Sequence, residues 1–573
     1  MNTPNAEVES LLAIEIGTIH TRALLFDLVD GQYRFLGASR VPSSHSAPFY
    51  DINEGIFQAL TQLQEMTARF FLENARLIIP AREDGTGIDS LVLTYTAGPG
   101  LRIAVLGLLE DVSLESARRL ASSTQSVLVE AIGLNDHRKH EMQVDALLKA
   151  KPDLIVIAGG TEKGATRSVA KVADLVSLML QLTPKDHYPE IMYVGNQAMQ
   201  KHISEALSRY SEVQVAPNVR PSIDNEVLAP AQEMLSQTVT RIRNRHLGGL
   251  QAYSSLTSTP AAPSSHTFGR LVRYLSQIND NQKHVLGVDL GASYTTLAAA
   301  REGKLELSVY TAGVGAGLER VLELSDLQDI TRWLPYDIPD DLVRDYLYQK
   351  TLFPGSVPAT VDTLAIEQAV TRQILALALK THRARYKNSL TAFEPVIVSG
   401  ATLTQASPGA ALLMLLDGLQ PVGTSTFVMD PYGLATALGA AAAVNTMIPV
   451  QVVETSALIN LGTVISPLST ARYGTSIMNL RIEYESGEKA EHEIRQGNLI
   501  MLPVQPGQTA RIHLEPLRAI EIDPLQKSGT RSFKVIGGVC GTVIDARGRP
   551  LELPADDVRR QDLLKKWANS VGA

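Results

Sequence analysis

Short apolar runs separated by turns organise the beginning of the chain. The runs Leu11–Ile16, Thr21–Val29 and Tyr33–Arg40 are rich in aliphatic and β-branched residues, which favour strands. The Asp30-Gly31 pair between the second and third runs is a strong hairpin signal. Helical periodicity follows over Ile52–Leu72. The pattern therefore predicts a three-stranded meander followed by a helix.

Between Ser90 and about Val215 the pattern changes to alternating strands and helices. Such alternation is typical of a parallel, doubly wound α/β unit. Glycine-containing turns, at 97–100 and 159–161, follow two of the strands, and ligand crevices in such folds lie at strand ends. The predicted strands are Leu91–Thr94, Val127–Glu130, Leu154–Ala158, Ile191–Val194 and Val213–Val215.

The initial pattern then recurs in the second half of the chain. Val285–Leu290, Thr295–Ala299 and Lys304–Tyr310 are three strand-like runs, and Gly291 in their first turn stands 274 positions after Gly17. We interpret this as a degenerate internal repeat. After Pro449, short runs separated by Gly, Pro and Asp predict a β-rich module that ends in a short helix.

The patterns predict an α/β protein with two repeated lobes, an inserted doubly wound α/β unit and a β-rich C-terminal module, and the order of these elements resembles a two-lobed, actin-like (ribonuclease H-like) ATPase fold. This resemblance implies a phosphate hairpin in each lobe, at Gly17 and at Gly291, and an adenosine turn in the second lobe. The predicted boundaries are 1–88 for the first lobe, 89–247 for the insertion, 248–283 for a linker and connecting helix, 284–449 for the second lobe, and 450–573 for the C-terminal module.

Length and composition narrow the classes of function. A chain of 573 residues is too long for one hydrophobic core. The net charge of −8 argues against a nucleic-acid partner, because phosphate-backbone binding needs clustered Lys and Arg. Cys540 is the single cysteine, which suits a reducing compartment, and neither a signal peptide nor a membrane span is predicted. The expected location is cytoplasmic.

The repeated turn is the main candidate for chemistry. Glycine lets backbone N–H groups approach phosphate oxygens, and a neighbouring hydroxyl adds a donor. An acid at the end of the first strand can hold a water-ligated Mg²⁺ that bridges the phosphates. Two such turns would hold ATP or ADP from both sides of a cleft. The candidate catalytic and metal-holding residues are the acids Glu15 and Asp289. The candidate nucleotide-binding residues of the two turns are Gly17, Thr18, Gly291, Ala292 and Ser293.

Two later segments fit the same scheme. The short strand Pro395–Ser399 enters a small-residue turn, for which the nucleotide-binding candidates are Ser399, Gly400 and Ala401. In this fold class such a turn lets adenosine lie against the backbone. A small-residue helix is predicted over Gly433–Ala443, where this fold class packs a hinge helix closely against its partner.

Six stretches occur in a characteristic order over some 430 residues: Thr94–Arg102, Leu154–Thr161, Val194–Asn196, Asn218–Pro221, Thr259–Ala262 and Val288–Thr296. The order of the elements looks like the actin/hexokinase ATPase class, and through these stretches residues 11–445 resemble the MutL family linked to glutamate mutase, which is unrelated to the mismatch-repair protein. The resemblance implies an ATP-binding accessory protein that exchanges damaged cofactor on an adenosylcobalamin-dependent mutase.

Three departures from the usual motifs indicate slow hydrolysis, or binding without turnover. Glu15 replaces the usual Asp, Tyr294 follows Ala292-Ser293 in the second hairpin, and Ser399-Gly400 replaces paired glycines. The longer Glu side chain displaces its carboxylate and disturbs an octahedral Mg²⁺–water shell.

Two alternatives remain open at this level. A small-molecule kinase of the same fold needs a carboxylate base, for which Asp153 and Glu162, predicted to lie near the Gly159 turn, are the available suggestions. A non-catalytic scaffold would use the C-terminal module as its interface. The glycines at 313–317 do not fit a dinucleotide loop, because no acid ends a strand about 20 residues later. The turn Arg547–Pro550 is interpreted as a solvated hairpin tip, with docking of an acidic partner as the alternative.

Overall fold

The computed structural model describes residues 8–162, 164–279, 282–387, 392–455, 457–523 and 532–573. The chain divides into two compact units. The first comprises Met1–Phe268, Leu307–Thr311 and Thr436–Gln451, and the second comprises Gly269–Glu306, Ala312–Ala435 and Val452–Ala573.

The first unit begins with the predicted meander. Strands β1 (Ser10–Ile16), β2 (His20–Val29) and β3 (Gln32–Pro42) pair in antiparallel fashion. The turn Asp30-Gly31 has φ values of 52° and 75°, the backbone that a type I′ hairpin turn requires. Helix α1 (Asn53–Thr67) buries its apolar face in the same core as the sheet. The hairpin and the helix predicted from the sequence are confirmed.

Two parallel strands complete this sheet. After a short pair, β4 (Leu72–Glu73) and β5 (Arg76–Leu77), strand β6 (Ser90–Tyr95) lies parallel to β1. The sheet order is β12-β6-β1-β2-β3, in which β12 is Ala262–Pro263, parallel to β6. The run Leu91–Thr94 therefore belongs to this sheet, although the alternation predicts it as part of the doubly wound unit.

The chain between β6 and β12 forms a second, wholly parallel sheet. Its order is β11-β10-β9-β7-β8. Both faces are covered by apolar cores, which is why its strands are near-continuous apolar runs. This is the predicted inserted doubly wound unit. Its strands are β7 (Leu101–Leu106), β8 (Ser126–Ile132), β9 (Leu154–Ile157), β10 (Glu190–Tyr193) and β11 (Val213–Val215).

Strand β7 is not predicted by the alternation, because it follows β6 after a glycine-rich turn without an intervening helix. The helices of this region otherwise follow the pattern. They are the π-helical turn Glu110–Leu114, α2 (Glu115–Ala121), α3 (His140–Ala150), α4 (Thr166–Leu182), the 3-10 turns Lys185–His187 and Gln197–Met199, α5 (Gln200–Leu207), α6 (Ala229–His246) and α7 (Leu250–Ser254).

The second unit repeats the order of the first sheet. After α8 (Ser264–Ile278), its large sheet has the order β15-β14-β13-β16-β17-β18-β26-β22. As with β1, β13 pairs antiparallel with the next strand and parallel with the strand after a long connection. The strands are β13 (His284–Leu290), β14 (Thr295–Arg301), β15 (Lys304–Tyr310), β16 (Phe393–Ser399), β17 (Gly423–Met429), β18 (Ile459–Ser466), β22 (Leu499–Leu502) and β26 (Thr542–Asp545).

Helices lie between these strands and after the last of them. These helices are α9 (Leu318–Leu324), α10 (Leu327–Thr331), α11 (Asp340–Leu352), α12 (Val361–Tyr386), α13 (Ala401–Thr404), α14 (Pro408–Leu419), α15 (Leu434–Ala441), α16 (Met447–Val453) and α17 (Asp557–Val571). Among the described residues, no helix is both long and apolar enough to cross a membrane.

The stretch 450–573 is β-rich and contributes to more than one sheet. Strands β18, β22 and β26 extend the large sheet, whereas a separate antiparallel sheet of order β21-β20-β23-β25 has its own apolar core. The remaining strands are β19 (Leu468–Ser469), β20 (Ser476–Tyr484), β21 (Lys489–Arg495), β23 (Thr509–Pro516), β24 (Ile520–Glu521) and β25 (Ser532–Ile536).

The two large sheets establish the fold class. The order β3-β2-β1-β6-β12 in the first unit matches β15-β14-β13-β16-β17 in the second. In both, an antiparallel meander is extended by strands parallel to the first strand. The protein therefore has the actin-like, ribonuclease H-like ATPase fold, with an inserted α/β unit and a β-rich C-terminal region, as predicted.

The turn Arg547–Pro550 corrects the prediction of a solvated tip. The Arg547 side chain is fully buried and bonds both Asp545, at 2.9 Å, and Asp417, at 2.6 Å. Arg549 also bonds Asp545, at 2.5 Å. The two cations neutralise buried carboxylates within the second unit, and this occupies the guanidinium groups that a docking role would have needed.

Candidate functional site

The turns at Gly17 and Gly291 have the same local geometry. In each, the glycine N–H donates to the carbonyl three residues later, from Gly17 to His20 and from Gly291 to Tyr294, both at 2.9 Å. A Cβ on Gly17 would lie 2.7 Å from the His20 oxygen, and one on Gly291 would lie 2.9 Å from the Tyr294 oxygen. Glycine is therefore required at both positions for space, which supports the internal repeat.

The two acids occupy equivalent positions in their sheets, but their neighbours differ. Glu15 pairs across the hairpin with Arg22, whereas Asp289 pairs with Thr296. The Arg22 guanidinium lies 3.0 Å from the Glu15 carboxylate, and the Glu15 side chain is 11% exposed. A carboxylate that already holds a guanidinium is a poorer partner for a hydrated cation. Its ion pair with Arg22 therefore makes Glu15 a poor holder of a metal ion.

Cationic and hydroxyl groups surround the first turn. Ser43 donates its hydroxyl to the Gly17 carbonyl at 2.7 Å, and the His45 ring lies 3.0 Å from the Thr18 carbonyl. The Arg40 guanidinium lies 3.1 Å from the His20 ring. Burial, followed by the charges of Arg40 and Arg22, lowers the pKa of His20 to about 4. The region beside Gly17 is thus electropositive.

This depressed pKa predicts a loss of stability in acid. Between about pH 6.5 and pH 4, His20 binds a proton in the unfolded chain but not in the folded one, so stability falls as the pH decreases. We expect His20→Gln to flatten the pH dependence of the unfolding free energy in that window, as measured by urea titrations. A slope in His20→Gln equal to that of the wild type would contradict the prediction.

A glycine loop packs on the second turn. The N–H of Val314 donates to the Gly291 carbonyl and that of Gly317 donates to the Ala292 carbonyl, both at 3.0 Å. A Cβ on Gly313 would lie 2.5 Å from the Gly291 oxygen, and one on Gly317 would lie 2.5 Å from the Ser293 oxygen. The glycines at 313–317 therefore allow close backbone packing against the hairpin, a role that the sequence pattern did not indicate.

The predicted adenosine turn lies beside the same strand end. Ser399 on β16 is in register with Asp289 on the adjacent parallel strand. Gly400 has a φ of 112°, and a Cβ there would lie only 2.1 Å from the Leu290 carbonyl. The second unit thus brings Asp289, the Gly291–Ser293 turn and the Ser399–Ala401 turn to one edge of its sheet.

A buried acid that the sequence did not single out, Asp430, lies at the end of the neighbouring strand. Asp430 follows β17, is 1% exposed, and accepts from backbone N–H groups at the start of α15. Its Oδ1 accepts from Gly433 and Leu434 at 2.9 Å, and its Oδ2 from Ala435 at 2.8 Å. This carboxylate satisfies the helix N-terminus that would otherwise attract an anion. The Asp430-Pro431 pair before a small-residue helix was the signal that could have indicated it.

The candidate bases for a kinase lie in the inserted unit, at opposite ends of β9. Asp153 directly precedes the strand and accepts from the Arg102 backbone N–H at 2.8 Å. Glu162 follows the strand and accepts from the Asn218 side chain at 2.8 Å. Asp153 is therefore not near the Gly159 turn, and this part of the kinase prediction is wrong.

The family model of the MutL protein matches residues 11–457. No curated protein matches the chain.

Solved structures with a similar fold have low sequence identity to this chain. The diol dehydratase-reactivating factor in nucleotide-free form is 10% identical, with 76% of this chain and 100% of that chain covered and a TM-score of 0.30. Component A of (R)-2-hydroxyglutaryl-CoA dehydratase from Acidaminococcus fermentans is 9% identical, with 76% and 97% covered and a TM-score of 0.26. Xylulose kinase from Bifidobacterium adolescentis is 10% identical, with 77% and 93% covered and a TM-score of 0.28.

These likenesses are too distant to indicate a substrate or a partner. The family match is different, because it spans most of the chain and includes both acid–glycine turns and the adenosine turn. The chain belongs to the MutL protein family.

Proposed function

We propose that this protein is an ATP- or ADP-binding accessory protein of an adenosylcobalamin-dependent mutase, with slow or no hydrolysis. The observation that carries nucleotide binding is the edge of the second unit where Asp289, the Gly291 turn and the Gly400 turn meet. The carbonyl oxygens of Tyr294 and Leu290 leave no room for a Cβ on Gly291 and Gly400, so both turns stay free of side-chain bulk at the ends of their strands. Turns of small residues let backbone N–H groups approach phosphate and ribose oxygens.

The residues of the second unit fit a nucleotide with Mg²⁺. The N–H groups of Ala292 and Ser293 and the Ser293 hydroxyl would donate to phosphate oxygens, and Asp289 would hold the hydrated cation. Ser399, Gly400 and Ala401 would lie against adenosine. The bound Mg²⁺ would supply charge neutralisation of the phosphates. In the first unit, Thr18 would act as a donor through its N–H and hydroxyl, and Gly17 would keep that turn free of side-chain bulk.

The first turn favours binding over turnover. Glu15 forms its ion pair with Arg22, so a cation already occupies the carboxylate that would otherwise help to position Mg²⁺. Arg22 would contribute positive charge near a phosphate in place of the metal. This arrangement supports a nucleotide-dependent switch better than a fast ATPase.

Calorimetric titration of ATP and ADP, with Mg²⁺ and with EDTA, tests nucleotide binding. We expect Asp289→Ala to lose the Mg²⁺-dependent part of the affinity, about 10–100-fold, as is typical when an outer-shell ligand of a metal is removed. Glu15→Ala is expected to have a smaller effect on Mg²⁺ dependence. Glu552→Ala, at an exposed acid of the same unit, is the matched control.

The outcomes separate the parts of the proposal. Absence of binding by the wild type would contradict nucleotide binding, and equal affinities of wild type and Asp289→Ala would remove the metal role of Asp289. Phosphate release by the nucleotide-bound wild type at rates of typical enzymes, about 1 per second or faster, would contradict slow hydrolysis.

The partner is tested separately. The tagged chain should retain a cobalamin-dependent mutase from cells of its source, and the amount retained should change between ADP and ATP. Retention that is independent of the nucleotide would favour the scaffold alternative. Failure to retain any such mutase under either condition would contradict the partner assignment while leaving nucleotide binding intact.

A further inference from the structure

The connection between α11 and α12, in the second unit, exposes a group of large apolar side chains. Tyr348 and Leu352 lie one turn apart on α11, Phe353 follows directly, and Val361 and Leu364 lie one turn apart at the start of α12. Single exposed apolar residues are normal, whereas a group of them marks an interaction surface. We call this group the apolar tip. Its members, with their exposed fractions, are Tyr348 54%, Leu352 74%, Phe353 66%, Val357 80%, Val361 73% and Leu364 44%.

Buried polar contacts hold the apolar tip in place from behind. Lys350 of α11 and Glu367 of α12 form a buried ion pair at 2.5 Å. Tyr346 donates its hydroxyl to the same carboxylate at 2.7 Å, and Lys350 also donates to the Ser356 carbonyl of the connecting loop. The apolar tip is therefore a preformed surface, and a partner would bind it without the cost of ordering the loop.

Carboxylates flank the apolar tip. Asp341 and Asp345 precede Tyr348 and Leu352 at helical spacing, so acids and apolar groups share one outward face of α11. The structure describes the whole of 340–364, and within it four exposed carboxylates stand against one exposed cation, because Lys350 is buried. The carboxylates are Asp340, Asp341, Asp345 and Asp362, and the cation is Arg344.

We propose that the apolar tip docks a basic amphipathic helix of a partner protein. The apolar face of that helix covers the tip, and its Lys or Arg side chains pair with Asp341 and Asp345. Asp341 and Leu352 lie about 16 Å apart along the helix axis, so a partner helix of about three turns reaches both.

The same charges disfavour the other occupants of an apolar surface. Two copies of this chain would bring like charges together if they paired through the apolar tip. An anionic membrane surface would repel the carboxylates around it. The charge pattern therefore favours a basic protein segment. This inference does not depend on nucleotide binding.

Fluorescence anisotropy of the full chain with a labelled peptide tests the proposal. The probe is an amphipathic leucine–lysine peptide of about 18 residues, long enough to form a helix. A matched peptide carries Glu at every Lys position, so it keeps the apolar face and reverses the charge. We expect the Lys peptide to bind and the Glu peptide to bind at least about tenfold more weakly. Absence of binding by the Lys peptide, or equal affinities of the two peptides, would overturn the proposal.

Two exposed valines provide a matched pair of variants that locates the binding. Val361 and Val558 each lie in the first turn of a helix beside an aspartate, and they are 73% and 68% exposed. We expect Val361→Ser to weaken binding of the Lys peptide about threefold through lost apolar contact, and Val558→Ser to leave it unchanged. Equal effects of the two substitutions would place binding outside the apolar tip and would overturn the proposal.

Two exposed aspartates separate a local charge effect from the overall negative charge. Asp345 flanks the apolar tip on α11, whereas Asp562 lies on α17. Asp345→Asn should weaken binding of the Lys peptide about threefold, the size of an exposed ion pair, and Asp562→Asn should leave it unchanged. Equal weakening by both substitutions would show general attraction of the peptide to an acidic chain and would overturn the proposal.

The aromatic ring of the apolar tip gives the variant with the largest expected effect. Phe353→Ser should weaken binding of the Lys peptide about tenfold, as loss of an aromatic anchor does at protein interfaces. If circular dichroism shows that this variant does not fold, the valine pair decides the question. Self-association of the wild type, or binding to phosphatidylserine vesicles, that Phe353→Ser abolishes would assign the tip to a second copy or to a membrane and would overturn the proposal.

Discussion

Replacing Arg547 with methionine is expected to destabilise the protein by about 3 kcal/mol, because Asp545 and Asp417 each lose one buried, charged hydrogen-bond partner and keep one, Arg549 and Arg372 respectively. Arg547 is 0% exposed on its side chain and bonds both Asp545 and Asp417. Burial alone would raise the pKa of Asp545, but Arg547 and Arg549 hold it well below its usual range. Urea unfolding at neutral pH measures the loss.

A second substitution tests the cause. Asp545 keeps its ion pair with Arg549 in Arg547→Met, so adding Asp545→Asn should remove that buried pair as well and lower the stability further. Arg559→Met, at an exposed cation of α17, is the control and should change stability by less than about 0.5 kcal/mol. A loss no greater in Arg547→Met than in the control would contradict a structural role for the ion network.

Gly439→Ala is expected to cost about 3 kcal/mol or more through overpacking. An added Cβ would lie 1.8 Å from the carbonyl oxygen of Thr267, in the first unit, and would meet backbone at that contact rather than a flexible side chain. Helices α8 and α15 would have to separate at this point. Thermal or urea unfolding measures the effect, and far-UV circular dichroism shows whether the variant folds.

Gly37→Ala is the matched control, in the first unit as well. A Cβ on Gly37 would meet the Thr67 side chain at 3.4 Å, an ordinary contact distance. Its cost should therefore be small. If Gly439→Ala were no more destabilising than Gly37→Ala, the close approach of the two helices would not be a feature of the folded protein in solution.

Local patterns were sufficient for the elements that depend on neighbouring residues. The Asp30-Gly31 hairpin, the meander around Gly291 and the small-residue helix at α15 are each encoded by turn chemistry or side-chain size within a few positions. The repeat of the glycine turn was also visible, because both turns need a residue without a Cβ. These features sufficed to indicate the fold class and the family.

Strand β7 and the membership of β6 could not be derived in this way. Both depend on which strand lies beside which, and β6 pairs with β1 across a gap of more than 70 residues in the chain. Periodicity shows that a segment is a strand but not which sheet receives it. Sheet membership is decided by long-range hydrogen bonding.

The sequence by itself determined the two acid–glycine turns, the small-residue turn at Ser399–Ala401 and the family. The tertiary structure decided how their charges are compensated: Glu15 meets Arg22, Asp430 caps a helix, and Arg547 lies in a buried network instead of at a solvated tip. The physical reason is that a residue type fixes a charge, whereas the neutralisation of that charge depends on partners brought together by the sheet. Arg547, whose partner Asp417 is 130 positions away, shows this most directly.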